Sequence, residues 1–284
     1  MLFKIAIKNL FGAKLRTGLN VFVTSISFFL VIFVSGMYDG MREYAKNITI
    51  ETEVAGGTYW HPEYDSMDPR TFEDSHSVIP SQVRKLIDQK NAFGVLVSQA
   101  SIYPNGRIMP VIMKGITPDQ NIVNMPTNIL AEHNDINIPV LIGSGMAKNA
   151  NLKVGDTFTI RWLDADRTYD ADEGTIVHIM ETENFKLDHG HIWIPLSKAQ
   201  SMLAMENQAT YVTYAKELPM IKDSGDWIHH DVDYMIRDME ALIKADEPGA
   251  QVMYSILLAL AAVSYTHLRA HETRHDLVCR LLLE

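Results

Sequence analysis

Leu19–Met37, LNVFVTSISFFLVIFVSGM, is a run of nineteen residues without a charge, and it constrains the chain more than any other stretch. A helix rises about 1.5 Å per residue, so the run covers most of a hydrocarbon core roughly 30 Å thick. Twelve of its residues are Leu, Ile, Val or Phe. On an insertion scale they contribute about −4 to −7 kcal/mol, against smaller opposing terms from Asn20, Thr24, Ser25, Ser27 and Ser35. The core helix of a soluble protein would carry a polar stripe, and this run has none. A cleaved signal would have a shorter apolar region, about 7–15 residues, ending at a small-x-small site. Here the run ends Ser35-Gly36-Met37-Tyr38. The stretch therefore reads as a membrane span.

The flanks orient it. Lys4, Lys8, Lys14 and Arg16 precede the span with no acid before Asp39, whereas acids and bases mix beyond it. Short Lys/Arg-rich segments stay on the cytoplasmic side, so the N-terminus is predicted inside and the following segment outside. The net charge is −10: the first 38 residues hold +4, the last 21 balance at zero, and Asp39–Val263 alone carries −14. So acidic a domain lacks the basic face that phosphate contacts need, which argues against nucleic-acid binding. The single cysteine, Cys279, permits no intrachain disulfide, and the outer segment must rely on its own core.

Ahead of the span, Phe3, Ile7, Leu10 and Phe11 recur at helical spacing with the four basic residues around them. This predicts an interfacial amphipathic helix over 1–16, with Lys8, Lys14 and Arg16 each worth about 1 kcal/mol near an anionic surface. Past the span, Ile48, Ile50, Thr52 and Val54 alternate like a strand, and 59–76 reads as a loop. A helix is expected at Ser81–Lys90. Val95–Tyr103 and Arg107–Ile116, joined by Pro104-Asn105-Gly106, read as a hairpin. Strands are expected at Thr157–Leu163, Thr175–Glu183, His189–Pro195 and Thr210–Lys216. One helix is expected from Ser197 to Met205, and another capped by Asp226 with Val232, Met235, Ile236, Met239, Leu242 and Ile243 on one face. Strands and helices interleave, which predicts an α+β or α/β outer domain. Met253–Val263 is apolar again but too short to span by itself.

The chemistry-bearing motifs are few. His189-Gly190-His191 would place two imidazoles on one strand face, a weak metal pair without a third ligand. Asp164, Asp166, Asp170 and Asp172 are spaced like a calcium loop, but Tyr169 and Thr175 stand where its glycine and glutamate belong, so the segment reads as a solvated acidic hairpin tip. His229-His230-Asp231 opens a helix, where an acid serves as a cap. The sequence has no P-loop and no Gly-x-Ser-x-Gly elbow, and nothing in it nominates a catalytic residue.

Several segments together resemble a known family. Lys4-Ile-Ala-Ile-Lys-Asn9-Leu10 and Lys14-Leu-Arg16-Thr17 ahead of the first span are similar to the start of FtsX/MacB-type ABC transporter permeases. Gly115-Ile-Thr-Pro-Asp119, Ile142-Gly143, Ala147-Lys148, Leu152-Lys-Val-Gly155-Asp156 and Ile192-Trp-Ile-Pro-Leu196 resemble that family's extracytoplasmic core, in order and spacing. The resemblance covers about 3–263. It implies an N-terminal transmembrane helix, a mixed α/β domain of the MacB periplasmic core type, and the start of a second transmembrane helix. The corresponding division is an interfacial helix over 1–16, a span over 17–38, a periplasmic domain over 39–250 and the second span from 251 to 263. Ser264–Glu284 resembles translated sequencing-adapter sequence, so its histidines and Cys279 carry no weight.

The resemblance further implies an inner-membrane permease that is not itself an enzyme and binds no cofactor, ATP and Mg being held by a separate cytoplasmic ATPase subunit. It implies pairing with a second permease in the lipid bilayer, and two further spans that lie beyond this chain. The layout resembles the lipoprotein-releasing (LolC/LolE-type) permeases, with a lipoprotein or other hydrophobic substrate, and a chaperone as a candidate partner, on the periplasmic side. It departs from the chaperone-recruiting member in one respect: Asp164–Gly174 is short, acidic and proline-free where that member has a proline-bearing hook. Phe28, Phe29 and Phe33 are candidates for a substrate or partner-helix face, and the four aspartates for a periplasmic partner loop. The alternative is an FtsX-like signalling scaffold that activates a periplasmic partner. A membrane-anchored binding protein without an ATPase is the third reading.

Overall fold

The computed structural model describes residues 14–263 other than 134, 217, 219, 222, 223, 238, 242–244, 246, 247, 250, 260 and 261. The chain divides into two units, 45–237 and one formed by 1–44 with 238–284. Helix α1, Lys14–Thr49, is 36 residues long. The helical stretch Val21–Val54 is long and apolar enough to cross a membrane, and its most apolar window is wholly unburied. Residues 251–259 are also helical.

The strand expected around Ile48–Val54 is absent. Helix α1 continues through that region and passes into a π-helical turn, Ile50–Val54. The β-branched alternation is overridden because extending an existing helix is far easier than nucleating a new element. The threonines are accommodated as helix residues: Thr49 and Thr52 donate their hydroxyls to the carbonyls of Ala45 and Ile48, four residues back.

The remaining elements follow in order: β1 (Gly57–Trp60), β2 (Ser77–Val78), α2 (Ser81–Asp88), β3 (Ala92–Ile102), β4 (Met109–Ile116), α3 (Ile129–Glu132), β5 (Pro139–Gly143), α4 (Ser144–Ala150) and β6 (Thr157–Leu163). Then come β7 (Tyr169–Met180), α5 (Phe185–Asp188), β8 (His191–Pro195), α6 (Leu196–Leu203), β9 (Gln208–Ala209), β10 (Tyr211–Tyr214) and β11 (Ile228–His230). The class is α+β, as expected.

Among the described residues the main sheet has nine strands in the order β11-β1-β10-β3-β4-β8-β5-β7-β6, and β6 pairs back onto β3. Strand β3 makes this closure because it is long enough for two partners on one edge. Residues 92–95 pair with β10, and Ala100–Ile102 pair with β6. The six strands from β3 to β6 therefore form a ring. The β4–β8 and β5–β7 pairs are parallel and the others antiparallel.

Side chains alternate across this sheet between two apolar clusters. Leu96, Met113, Val140, Ile142, Ile192 and Ile194 join α4 and α6 on one face. Val95, Val97, Leu141, Val177 and Trp193 form the other. Burial on both faces explains why these strands read as continuous apolar runs rather than alternating ones. The β3–β4 hairpin forms as expected, with Pro104–Gly106 as a single 3-10 turn between the strands.

Two caps differ from expectation. Ser197 lies inside α6, which begins at Leu196 after Pro195 without a side-chain cap. Asp226 does not start the amphipathic helix, because β11 intervenes and the helix begins after it. Asp231 is the cap, as the reading of His229-His230-Asp231 expects, its carboxylate accepting from the Tyr234 amide at 2.8 Å. Of the expected apolar face, Ile236 is buried and Met235 half-buried, while Leu242 and Ile243 lie outside the described residues.

Candidate functional site

The structure concentrates buried charge where the π-turn meets the sheet. Lys114 stands on β4 in register with Ile112 and Ile116, on the second apolar face. Its side chain is 4% exposed, and its ammonium lies 4.8 Å above the Trp193 ring, directly across the parallel β4–β8 pair. A charge so placed needs a partner. The partner is Glu53, supplied by the π-turn, 12% exposed and 3.7 Å from Lys114 Nζ. Lys186 on α5, half exposed, reaches the same carboxylate at 3.5 Å. Glu53 thus bridges one buried and one solvent-facing cation.

His191, at the start of β8, completes the cluster. It is buried, its ring stacks toward Trp193 at 6.3 Å, and its Nδ1 is 2.9 Å from the His189 carbonyl. Burial lowers its imidazole to about 4, the Lys114 ammonium adding to the shift. Burial likewise lowers the Lys114 ammonium to about 8, with the Glu53 carboxylate opposing. At neutral pH the cluster therefore holds a neutral imidazole beside charged Lys114.

Polar contacts tie the turn down on both sides. Asn184, nearly buried, caps α5 by accepting from the Lys186 amide at 3.2 Å and donates to the Thr52 hydroxyl at 3.0 Å. The Asn124 amide donates to the Glu51 carbonyl at 2.7 Å. The turn closes on Ala55, whose amide bonds to the Ile50 carbonyl five residues back at 2.7 Å. Ala55 is buried and holds φ 50° and ψ −111°, a strained conformation for a residue with a Cβ. The arrangement has no nucleophile–base geometry. What it can do is hold the foot of α1 to the sheet.

The residues singled out from sequence fall elsewhere. Lys4 and Lys8 lie outside the described residues; Lys14 and Arg16 belong to the start of α1. Phe28, Phe29 and Phe33 are 66%, 61% and 56% exposed, and the Phe29 and Phe33 rings stack at 5.9 Å. The acidic segment is the β6–β7 hairpin. Asp164 closes its turn by accepting from the Thr168 amide at 2.8 Å, and Arg167 sits at φ 59°. Asp166 and Asp170 are exposed. Asp172 is also exposed; the Glu173 amide and the Asn137 side chain hold its carboxyl below the usual range.

The two imidazoles of the 189–191 pair do not share a strand face. Gly190 at φ 71° turns the chain before β8 begins, leaving His189 beside Asp188 at 3.6 Å. Among the described residues no group of three or more His, Cys, Asp or Glu is placed to hold a metal.

Glu53, Lys114 and Lys186 were missed in the sequence, and His191 was singled out only as half of a metal pair. The available signal was Lys114, a lysine inside the apolar run MPVIMKGI. Its partner was hidden because 48–54 reads as a strand.

No family model and no curated protein sequence matches the chain. Among solved structures, the periplasmic region of MacB from Actinobacillus actinomycetemcomitans matches 68% of this chain and 95% of that one, at 10% identity and a TM-score of 0.43. The extracellular domain of the noncanonic ABC-type transporter YknZ from Gram-positive bacteria matches 66% and 94%, at 10% identity and a TM-score of 0.35. Likeness at that level assigns no activity and no residue role to this chain.

Proposed function

We propose that the chain is part of a permease subunit of an FtsX/MacB-type ABC transporter, anchored in the inner membrane with its N-terminus cytoplasmic and the sheet unit outside. In this reading it works as a pair with a second permease. A separate ATPase subunit binds ATP and Mg, and this chain couples hydrolysis to movement or release of a lipoprotein or other hydrophobic substrate. The observation that carries the reading is the unburied apolar helical stretch Val21–Val54, long enough to cross a membrane, in the same chain as the α+β sheet unit. The sequence resemblance supports the same reading.

The test has two stages. Sequencing the locus past Val263 is expected to find further spans in frame and a neighbouring P-loop ATPase gene. Co-expression of that ATPase with the full permease in nanodiscs is expected to raise ATP hydrolysis above that of the ATPase alone. No co-purification and no stimulation would refute the permease role. The exposed acidic hairpin with Asp166 and Asp170 favours a second reading, an FtsX-like scaffold that activates a periplasmic partner. Stimulated ATPase without release of a lipidated substrate would select it.

A further inference from the structure

We infer that the π-turn at Ile50–Val54 is a two-position joint: the Glu53 bridge holds it in its present form, and weakening that bridge lets it convert to α-helical geometry and turn the adjoining end of α1, Ala45–Thr49, against the sheet. This goes beyond the transport reading and stands whether or not an ATPase partner exists.

The argument begins with the backbone. A π-turn carries one residue more than an α-turn, is rare, occurs mostly as single turns, and is frequent at functional sites. Here it is defined by the five-residue bond from the Ala55 amide to the Ile50 carbonyl. Returning to the α form shifts the incoming helix by one residue, about 100° and about 1.5 Å. Glu53, inside the turn, reaches Lys114 on the sheet and Lys186 on α5 through long side chains, at 3.7 Å and 3.5 Å, so the bridge can adjust or release as the turn converts.

The surroundings support two positions rather than one. The Thr49 and Thr52 hydroxyls bond to carbonyls four residues back, offering those carbonyls partners other than backbone amides. Ala55 is strained in the present form, and strain of that kind persists only where surrounding contacts hold it. Those contacts are the Glu53 bridge, the Asn184–Thr52 bond and the Asn124–Glu51 bond. Lys186 is solvent-facing, so one of the two cations can release Glu53 without exposing the apolar face.

The experiment uses the full chain in nanodiscs with Cys279→Ser, and spin labels at Asn47→Cys on the helix and Gln89→Cys on the sheet unit. Deleting Glu51 removes the extra residue and forces the α form. The expected result is one principal distance in the parent, and a second one, several ångströms away, in the deletion. Glu53→Gln, which weakens the hold but keeps the shape, is expected to show both distances. A Glu53→Gln distribution identical to the parent, or merely broadened without the second distance, would overturn the joint. Should the deletion fail to fold, hydrogen exchange on the unaltered chain decides. The Ala55 amide is expected to exchange at least ten-fold faster than the amides of 95–97 in β3, and equal protection overturns the proposal.

Discussion

Exchanging Lys114 for Met and Glu53 for Gln separates the two sides of the buried pair, and burial makes the two changes unequal. Lowering of the Lys114 ammonium from 10.5 to about 8 means that its site disfavours the charged form by about 3 kcal/mol, even with Glu53 present. Methionine keeps most of the side-chain volume and removes that penalty. Against this stands the lost contact with the Trp193 ring, worth about 1–2 kcal/mol in a desolvated site. Glu53 still has Lys186 at 3.5 Å. Lys114→Met is therefore expected within about 1 kcal/mol of the parent in stability. Glu53→Gln instead leaves a buried ammonium with a second cation nearby and no carboxylate, a change of the class that costs about 3–5 kcal/mol. Urea unfolding of the full chain in detergent at pH 7, followed by tryptophan fluorescence, reads both. With unchanged slopes, the Glu53→Gln midpoint should fall well below that of Lys114→Met. Equal losses, or a larger loss for Lys114→Met, would refute the account of where the cost lies.

Three further outcomes are expected. The imidazole of His191, lowered to about 4, binds fewer protons in the folded than in the unfolded chain between about pH 4 and 6.5, so stability should fall as pH drops through that window, by up to about 3 kcal/mol. The charged groups that face it are Glu53, Lys114 and Lys186, and a His191→Gln chain measured by the same unfolding assay should show a flatter pH profile. Gly115→Ala would place a Cβ 2.4 Å from Ala199 Cβ and 3.3 Å from Leu196 Cα, so β4 and α6 must separate; a loss of about 1–3 kcal/mol is expected by thermal unfolding. Asn184→Ala loses both the α5 cap and the Thr52 bond, about 2 kcal/mol, whereas Asn184→Ser keeps a cap and should recover part of it, read as faster hydrogen exchange at 50–55 in both variants.

Much of the element list was legible because its signals are local. The apolar run of α1, the β3–β4 hairpin around Pro104-Asn105-Gly106, and β6 at Thr157–Leu163 are each set by neighbouring residues. Periodicity and turn chemistry act over a few positions, so they can be read from one chain. Of the two misplaced caps, the one at Asp226 was a local reading that a tertiary choice overrode. Asp226 is a good cap residue, but pairing of Ile228–His230 with β1 placed the helix start at Asp231.

What a single chain determines by itself is a long unbroken apolar segment, an acidic outer part of mixed strands and helices, and a lysine in the middle of an apolar strand. Those follow from residue type and spacing alone. What only the tertiary structure decided is the identity of the site. Strand β3 is shared between β10 and β6, so the sheet closes, and helix propagation carries 48–54 past its own strand preference into a π-turn. Glu53, Lys114 and Lys186, separated by 61 and 72 positions, meet only because the turn, β4 and α5 converge there. Attraction between distant charges leaves no mark on local sequence pattern; the need of a buried ammonium for a partner does, and Lys114 was that mark.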